Sequence, residues 1–351
     1  VDRVRWGRGV HDLAAAVVGL VRPKWTVRVS GVGRAVPSAD RYLKGNDMTT
    51  LAGRLGPDKV KLGVCCTLWW NDDFPAIDAG IPFGQAVSEM ALAGFQGCST
   101  GHKYPTDLVE LKAALDLRGL EVSEPWTSTY FTIAKMRQKT IDSFEETLSR
   151  IKALGGNELV VAEFGGSSHL LPVDVFANRP VFTDTQWDAL ASGLEELGKI
   201  AHSAGMRLSY HHHMGTGVMT RADVDRLMAS TDPDLVSLLL DTAHIAFAGD
   251  DPLDMARAYA DRIGHVHMKS IRPEVVSRVR EEGLSFQDAV EAGVFTVPGD
   301  GAIDFRPILE ALADADYRGW LVVEAEQDPN KANPLEYAKK ARAYLTDVLG
   351  W

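Results

Sequence analysis

Cysteine is scarce in this chain: Cys65, Cys66 and Cys98 are the three among 351 residues, and none is spaced C-x-x-C. That excludes a disulfide framework and fits a reducing compartment, so the expected location is the cytoplasm. No apolar run reaches the roughly 18 residues of a membrane span, so no membrane partner is expected. Positive charge is also in short supply. Thirty-seven Lys/Arg face 48 Asp/Glu, a formal charge of −11, whereas a nucleic-acid binder needs a basic stripe to neutralise phosphates. No G-x-G-x-x-G turn follows the first apolar run, which argues against a doubly wound dinucleotide-binding sheet.

Residues 1–47 differ from the remainder. Nine Lys/Arg against four Asp/Glu give this segment +5 and leave −16 for residues 48–351. Leu13–Val21 is apolar behind Arg3, Arg5 and Arg8, but Arg22, Pro23 and Lys24 follow at once with no small-residue cleavage site. The expectation is an N-terminal extension outside the fold, with Met48 as the natural start and 48–351 as one catalytic domain. Intact-mass measurement of the native protein tests this.

From Lys59 onward, β-rich runs alternate with longer amphipathic ones. The predicted strands are Lys61–Leu68, Gly94–Thr100, Leu120–Trp126, Glu158–Glu163, Arg207–His212, Leu235–Asp241, Ile263–Met268 and Trp320–Glu324. Helical periodicity marks Phe83–Ala93, Thr106–Arg118, Ile141–Leu154, Thr185–Ala204, Arg221–Ala229, Pro252–Ala260, Phe305–Ala313 and Pro334–Leu349. Glycine follows several of these helices, as C-caps do in αβ loops. Eight strand–helix repeats predict an α/β fold, a parallel (β/α)8 TIM barrel.

Four of these strands end in metal-capable side chains: His211, Asp241, His267 and Glu324, separated by 30, 26 and 57 residues. Parallel strands keep their C-terminal ends on one side, so the four side chains converge on one point. Singly, each has a plainer reading: Asp241 as a helix N-cap, the histidines as satisfied core groups. Together they predict a divalent-metal site, and mixed nitrogen and carboxylate ligands suit Mn, Co, Zn or Fe(II). Further rim candidates are Trp70, Asn71, Asp72 and Asp73 after the first strand, Lys103 after the second, Trp126 after the third, Glu163 ending the fourth and Arg272 beyond the seventh.

The runs Trp70–Pro75, Ser88–Gly97, Ser128–Thr132, Tyr210–Thr216, Asp241–Gly249, His265–Lys269, Gly293–Phe305 and Trp320–Lys339 resemble the inosose dehydratase family of the xylose-isomerase-like sugar isomerase/epimerase superfamily. The resemblance covers about residues 59–347. It implies a metal on His211, Asp241, His267 and Glu324, with Mn or Co first and Zn suited, and His244 beside the substrate. It also implies loss of water from scyllo-inosose (2-keto-myo-inositol) to give a trihydroxycyclohexane-dione in inositol catabolism, a hydro-lyase reaction. Glutathione as an assisting thiol and a homo-oligomer are family-level expectations. Two departures stand out. Relatives carry a Glu where this chain has Ser99, and Glu124-Pro125 is atypical before Trp126.

The implied chemistry needs a Lewis acid for the ketone, a base for the α-proton and an acid for the departing hydroxyl. Glu163 or Glu326 is the expected base and His213 or His244 the expected acid. Glu163 is favoured because a carboxylate on the metal itself is a weaker base. Trp70, Asn71, Asp72, Lys103, Trp126 and Arg272 are the expected contacts to a cyclitol or keto-sugar. The rival readings are a keto-sugar isomerase or epimerase (or related lyase) using the same enolate, a non-catalytic sugar-binding barrel, and an endonuclease, which the −16 core disfavours.

Overall fold

The computed structural model describes residues 49–351; the extension expected over 1–47 lies outside them. Among the described residues, eleven strands occur in chain order: β1 Val60–Val64, β2 Gly97–Ser99, β3 Glu121–Glu124, β4 Trp126–Thr129, β5 Glu158–Glu163, β6 Arg207–His211, β7 Ser237–Asp241, β8 Ile263–Met268, β9 Ser270–Ile271, β10 Phe295–Thr296 and β11 Gly319–Val323. Nine of them form one parallel sheet in the order β3-β2-β1-β11-β8-β7-β6-β5-β4. Its two outermost members, β3 and β4, are separated in the chain by Pro125 alone. β3 pairs with β2 and β4 pairs with β5. One broken strand thus joins both edges, and the sheet is an eight-stave barrel.

Pro125 has no N–H to give to a ladder, which explains the break. The sequence reading ended this strand at Trp126, whereas pairing resumes there and runs to Thr129 opposite Glu163. The first strand is also shorter than expected, since Cys66–Leu68 turns into a 3-10 helix. Helices including Phe83–Leu92, Arg137–Ala153, Asp184–Ser203 and Pro334–Leu349 cover the outside. Each lays a stripe such as Trp187, Leu190, Leu194 and Leu197 onto the strands. Gly155 and Gly205 take φ of +87° and +75° just before β5 and β6, a turn that a Cβ would strain.

The long interval before β11 holds an insertion. β9 and β10 pair antiparallel and bracket the helices Pro273–Glu282 and Phe286–Glu291. Phe286 and Phe295 from this insertion lie over the C-terminal rim, with ring centroids 6.0 and 5.1 Å from His244. Among the described residues, no helix is long and apolar enough to cross a membrane.

Candidate active site

His211, Asp241, His267 and Glu324 do converge. They come from β6, β7, β8 and the residue after β11, all buried, with one ligand atom of each within 4.8 Å of the others. His211 Nε2 and His267 Nδ1 each lie 3.4 Å from Asp241 Oδ2, and His267 Nδ1 is 2.9 Å from Glu324 Oε2. Asp241 carries both of its expected roles. Oδ1 caps the helix Thr242–Ala248 by accepting from the Ala243 and His244 amides at 3.0 and 2.8 Å. Oδ2 is left facing the cluster.

His267 Nδ1, Asp241 Oδ2 and Glu324 Oε2 make no well-aligned hydrogen bond despite complete burial. Buried polar atoms normally find hydrogen-bond partners, and here a nitrogen and two carboxylate oxygens, the oxygens ion-paired to Lys269 but without an aligned hydrogen bond, cluster together. Burial also pushes the His211 imidazole down to about 4, against the pull of Asp241, so the ring is neutral and its nitrogen is free to ligate. These residues fit a divalent cation.

Lys269 closes the far side of the cluster and is fully buried. Its ammonium lies 3.1 Å from Asp241 Oδ2, 2.8 Å from Glu324 Oε2 and 2.7 Å from Glu326 Oε2, and 4.6 Å above the Phe295 ring. These distances are those of an ion pair; good hydrogen-bond geometry holds only to Glu326. Burial opposes ionisation of Glu326, yet the Lys269 cation, helped by His213 and His244, holds its carboxyl well below the usual range. Glu326 Oε1 lies 3.8 Å from His213 Nε2 and 3.6 Å from His244 Nε2. The two imidazoles lie 4.0 Å apart between centroids, tilted by 44°. Burial and the Lys269 cation hold His244 well below its ordinary value, hence neutral. His213 Nδ1 donates to the Met214 carbonyl at 2.8 Å, so in the neutral form of the ring the lone pair lies on Nε2.

A cavity opens above this floor. Its wall includes Asn71, Asp72, Asp73, Trp126, His213 and Glu326 beside His211, His267 and Glu324. Trp126, 41% exposed, stands edge-on to His211 and His213. Other expected contacts lie elsewhere. Trp70 is buried behind the wall, packed edge-on to His102 and Tyr104. Lys103 is tied to Asp78 and the Ile81 carbonyl. Arg272 is held by Asp300 and the carbonyls of Gly293 and Phe295, bracing the insertion.

Glu163, the favoured base, needs correction. Its Oε2 accepts from Thr129 Oγ1 and the Phe131 amide, and its Oε1 from the Thr132 amide and hydroxyl and the Gly165 amide, at 2.7–3.2 Å. All of its acceptor capacity is spent on the end of β4, the loop after it and its own turn, and it does not line the cavity. It is a structural tie. The sequence reading did not single out Lys269, two places after a predicted ligand, and gave no site role to Glu124, atypical before Trp126, whose carboxylate touches both His265 and His267.

The model of the xylose isomerase-like TIM barrel family matches residues 85–348. The inosose dehydratase of Geobacillus thermodenitrificans (strain NG80-2) is 50% identical over 294 residues, 84% of this chain and 98% of the relative. That of Bacillus cereus (strain AH820) is 50% identical over 292 residues, 83% of this chain and 98% of the relative. Among solved structures, the IOLI protein with a binding zinc atom superposes with a TM-score of 0.62 at 17% identity, covering 83% of this chain and 98% of that one. D-psicose 3-epimerase in the presence of D-fructose gives a TM-score of 0.61 at 19% identity, covering 83% and 100%. At those identities the structural likeness speaks for the barrel alone.

Proposed function

The chain belongs to the inosose dehydratases, within the xylose isomerase-like TIM barrels, and on that premise we propose that it removes water from scyllo-inosose to give a trihydroxycyclohexane-dione, a step of inositol catabolism. The observation that carries this reading is the convergence of four metal-capable side chains on the cavity floor, next to an imidazole whose free nitrogen faces the same space.

His211, Asp241, His267 and Glu324 would hold the divalent cation, with Mn or Co favoured and Zn also suited to the donor set. Bound there, the cation supplies Lewis acidity that makes the proton beside the ketone removable. The remaining steps fall to the chain's own groups. His213 Nε2 is the proton acceptor, because Met214 fixes the proton on Nδ1. The C–H electron pair moves toward the ketone as His213 becomes an imidazolium. Glu326, kept ionised by Lys269, stabilises that cation and is a weak base itself. The imidazolium then returns its proton to the departing β-hydroxyl as the C–O bond breaks, and water leaves. His244 packs behind His213 and contacts Glu326, so it positions both. Trp126, Asn71 and Asp72 line the space for the cyclitol ring. Three unpaired, buried cysteines support work in the cytoplasm.

Chelator-stripped protein tests the reading. It should lose dehydration of scyllo-inosose and regain it on reloading with Mn or Co. Equal turnover by stripped and loaded protein would refute the metal's part.

A further inference from the structure

Glu124 ends β3 immediately before the Pro125 break and opposite Ser99 of β2. Its side chain is buried, 3% exposed, and lines the cavity. Oε2 accepts a hydrogen bond from His267 Nε2 at 2.9 Å and touches His265 Nε2 at 2.5 Å without alignment for a second bond. Oε1 is buried and has no partner. A carboxylate tied to structure would have both oxygens occupied, as Glu163 does. Glu124 instead keeps one buried oxygen without a partner, in a side chain that lines the cavity next to His267.

An ionised carboxylate only accepts hydrogen bonds, so the bond to Oε2 places the His267 proton on Nε2. With a cation held between Asp241 Oδ2 and Glu324 Oε2, Nδ1, the nitrogen that faces them, would then carry the lone pair. Such outer carboxylates fix the ring and raise its basicity as a ligand.

We infer that Glu124 is a positioning and substrate-recognition residue: Oε2 holds His267 with Nδ1 toward the metal, and Oε1 accepts a hydrogen bond from a hydroxyl of the bound polyol ketone. This rests on the metal-dependent reading above and adds to it a carboxylate outside the four ligands. Ser99 cannot fill this role, because its hydroxyl is already engaged by the Cys66 amide at 3.0 Å and Cys65 Sγ at 3.1 Å.

The test is Co(II) titration of the metal-free full chain, followed by kinetics with scyllo-inosose at saturating Co(II). Wild type should bind one equivalent. Glu124→Ala should bind about 10–100-fold more weakly. Glu124→Gln, whose amide oxygen still accepts from Nε2–H, should recover most of that affinity. Its amide NH2 then faces the cavity, and KM should rise on the order of tenfold with a smaller change in kcat. Equal affinity in wild type and Glu124→Ala overturns the positioning role, and an unchanged KM in Glu124→Gln overturns the hydroxyl contact. Two equivalents in wild type, one lost with Glu124, would make it a ligand and also overturn the inference. If wild type binds no Co(II), it is the metal-dependent reading that fails. Should the variants not fold, 15N–1H long-range correlation on Zn-loaded wild type decides: a proton on His267 Nε2 is expected, and a proton on Nδ1 contradicts it.

Discussion

Replacing Glu163 by Gln separates a structural tie from a catalytic base. The carboxylate receives five hydrogen bonds, two at Oε2 and three at Oε1. An amide offers one acceptor oxygen and one NH2. With the NH2 at the Oε1 position it would face two backbone N–H groups, those of Thr132 and Gly165. At the Oε2 position it faces only the Phe131 N–H, because the Thr129 hydroxyl can turn to accept. The second orientation wins, leaving the buried Phe131 amide unpaired, three bonds to a neutral acceptor where a charged one stood, and one from the new NH2 to the Thr129 hydroxyl. An unmade buried bond costs about 1–3 kcal/mol, and loss of charge assistance adds to it, so the expected destabilisation is about 2–4 kcal/mol. With an unfolding entropy of about 2.1 cal/mol/K per residue over the roughly 300 described residues, Tm should drop by about 3–6 °C. Thermal melts followed by circular dichroism would read this, alongside turnover of metal-loaded enzyme at 25 °C, which should stay within about threefold of wild type. A fall of about 10²-fold in kcat with an unchanged Tm is the signature of a lost general base and would refute the reasoning.

Three further outcomes follow from the same geometry. His213→Asn should lower kcat by about 10²–10⁴-fold while leaving Co(II) affinity at the wild-type value; a parallel loss of metal would instead make His213 a ligand. His211→Ala should weaken metal binding by more than the roughly 10–100-fold associated with outer partners, measured by the same titration, and an unaltered affinity would remove His211 from the ligand set. Burial pushes Glu158 up to about 8, although Arg207 stands 3.4 Å away. A carboxyl raised in the fold contributes stability below its unfolded pKa, near 4.5, and that contribution is lost as pH rises toward 8. Glu158→Gln should therefore gain Tm relative to wild type at pH 8 and little at pH 5; an equal offset at both values would contradict the assignment.

The barrel was legible because short β-branched runs and 3.6-period helices alternate eight times, a local signal that tertiary packing reinforces. The closure through β3 and β4 was not, because Pro125 reads as a terminus in sequence and only its neighbours, β2 and β5, show that the ladder resumes beyond it. His211, Asp241, His267 and Glu324 were visible because each ends a buried strand, where an unpaired polar group is costly without a purpose. Glu163 carries the same signal and means something else, since four of its five donors come from Thr129–Thr132, more than 30 residues upstream. Lys269 was passed over because a lysine after a strand ordinarily reaches solvent. Here carboxylates from two other parts of the barrel, β7 and the end of β11, hold it at zero exposure. Glu124 was noticed as an oddity of sequence, but its tie to His267 spans 143 positions and exists only in the fold.

The most direct test of the central claim is to follow Mn- or Co-loaded protein with scyllo-inosose in deuterated buffer by NMR. Loss of water to give the trihydroxycyclohexane-dione, absent in chelator-treated protein, is the predicted result. Deuterium entering the carbon beside the ketone without dehydration would contradict it and place the enzyme among the enolising isomerases and epimerases.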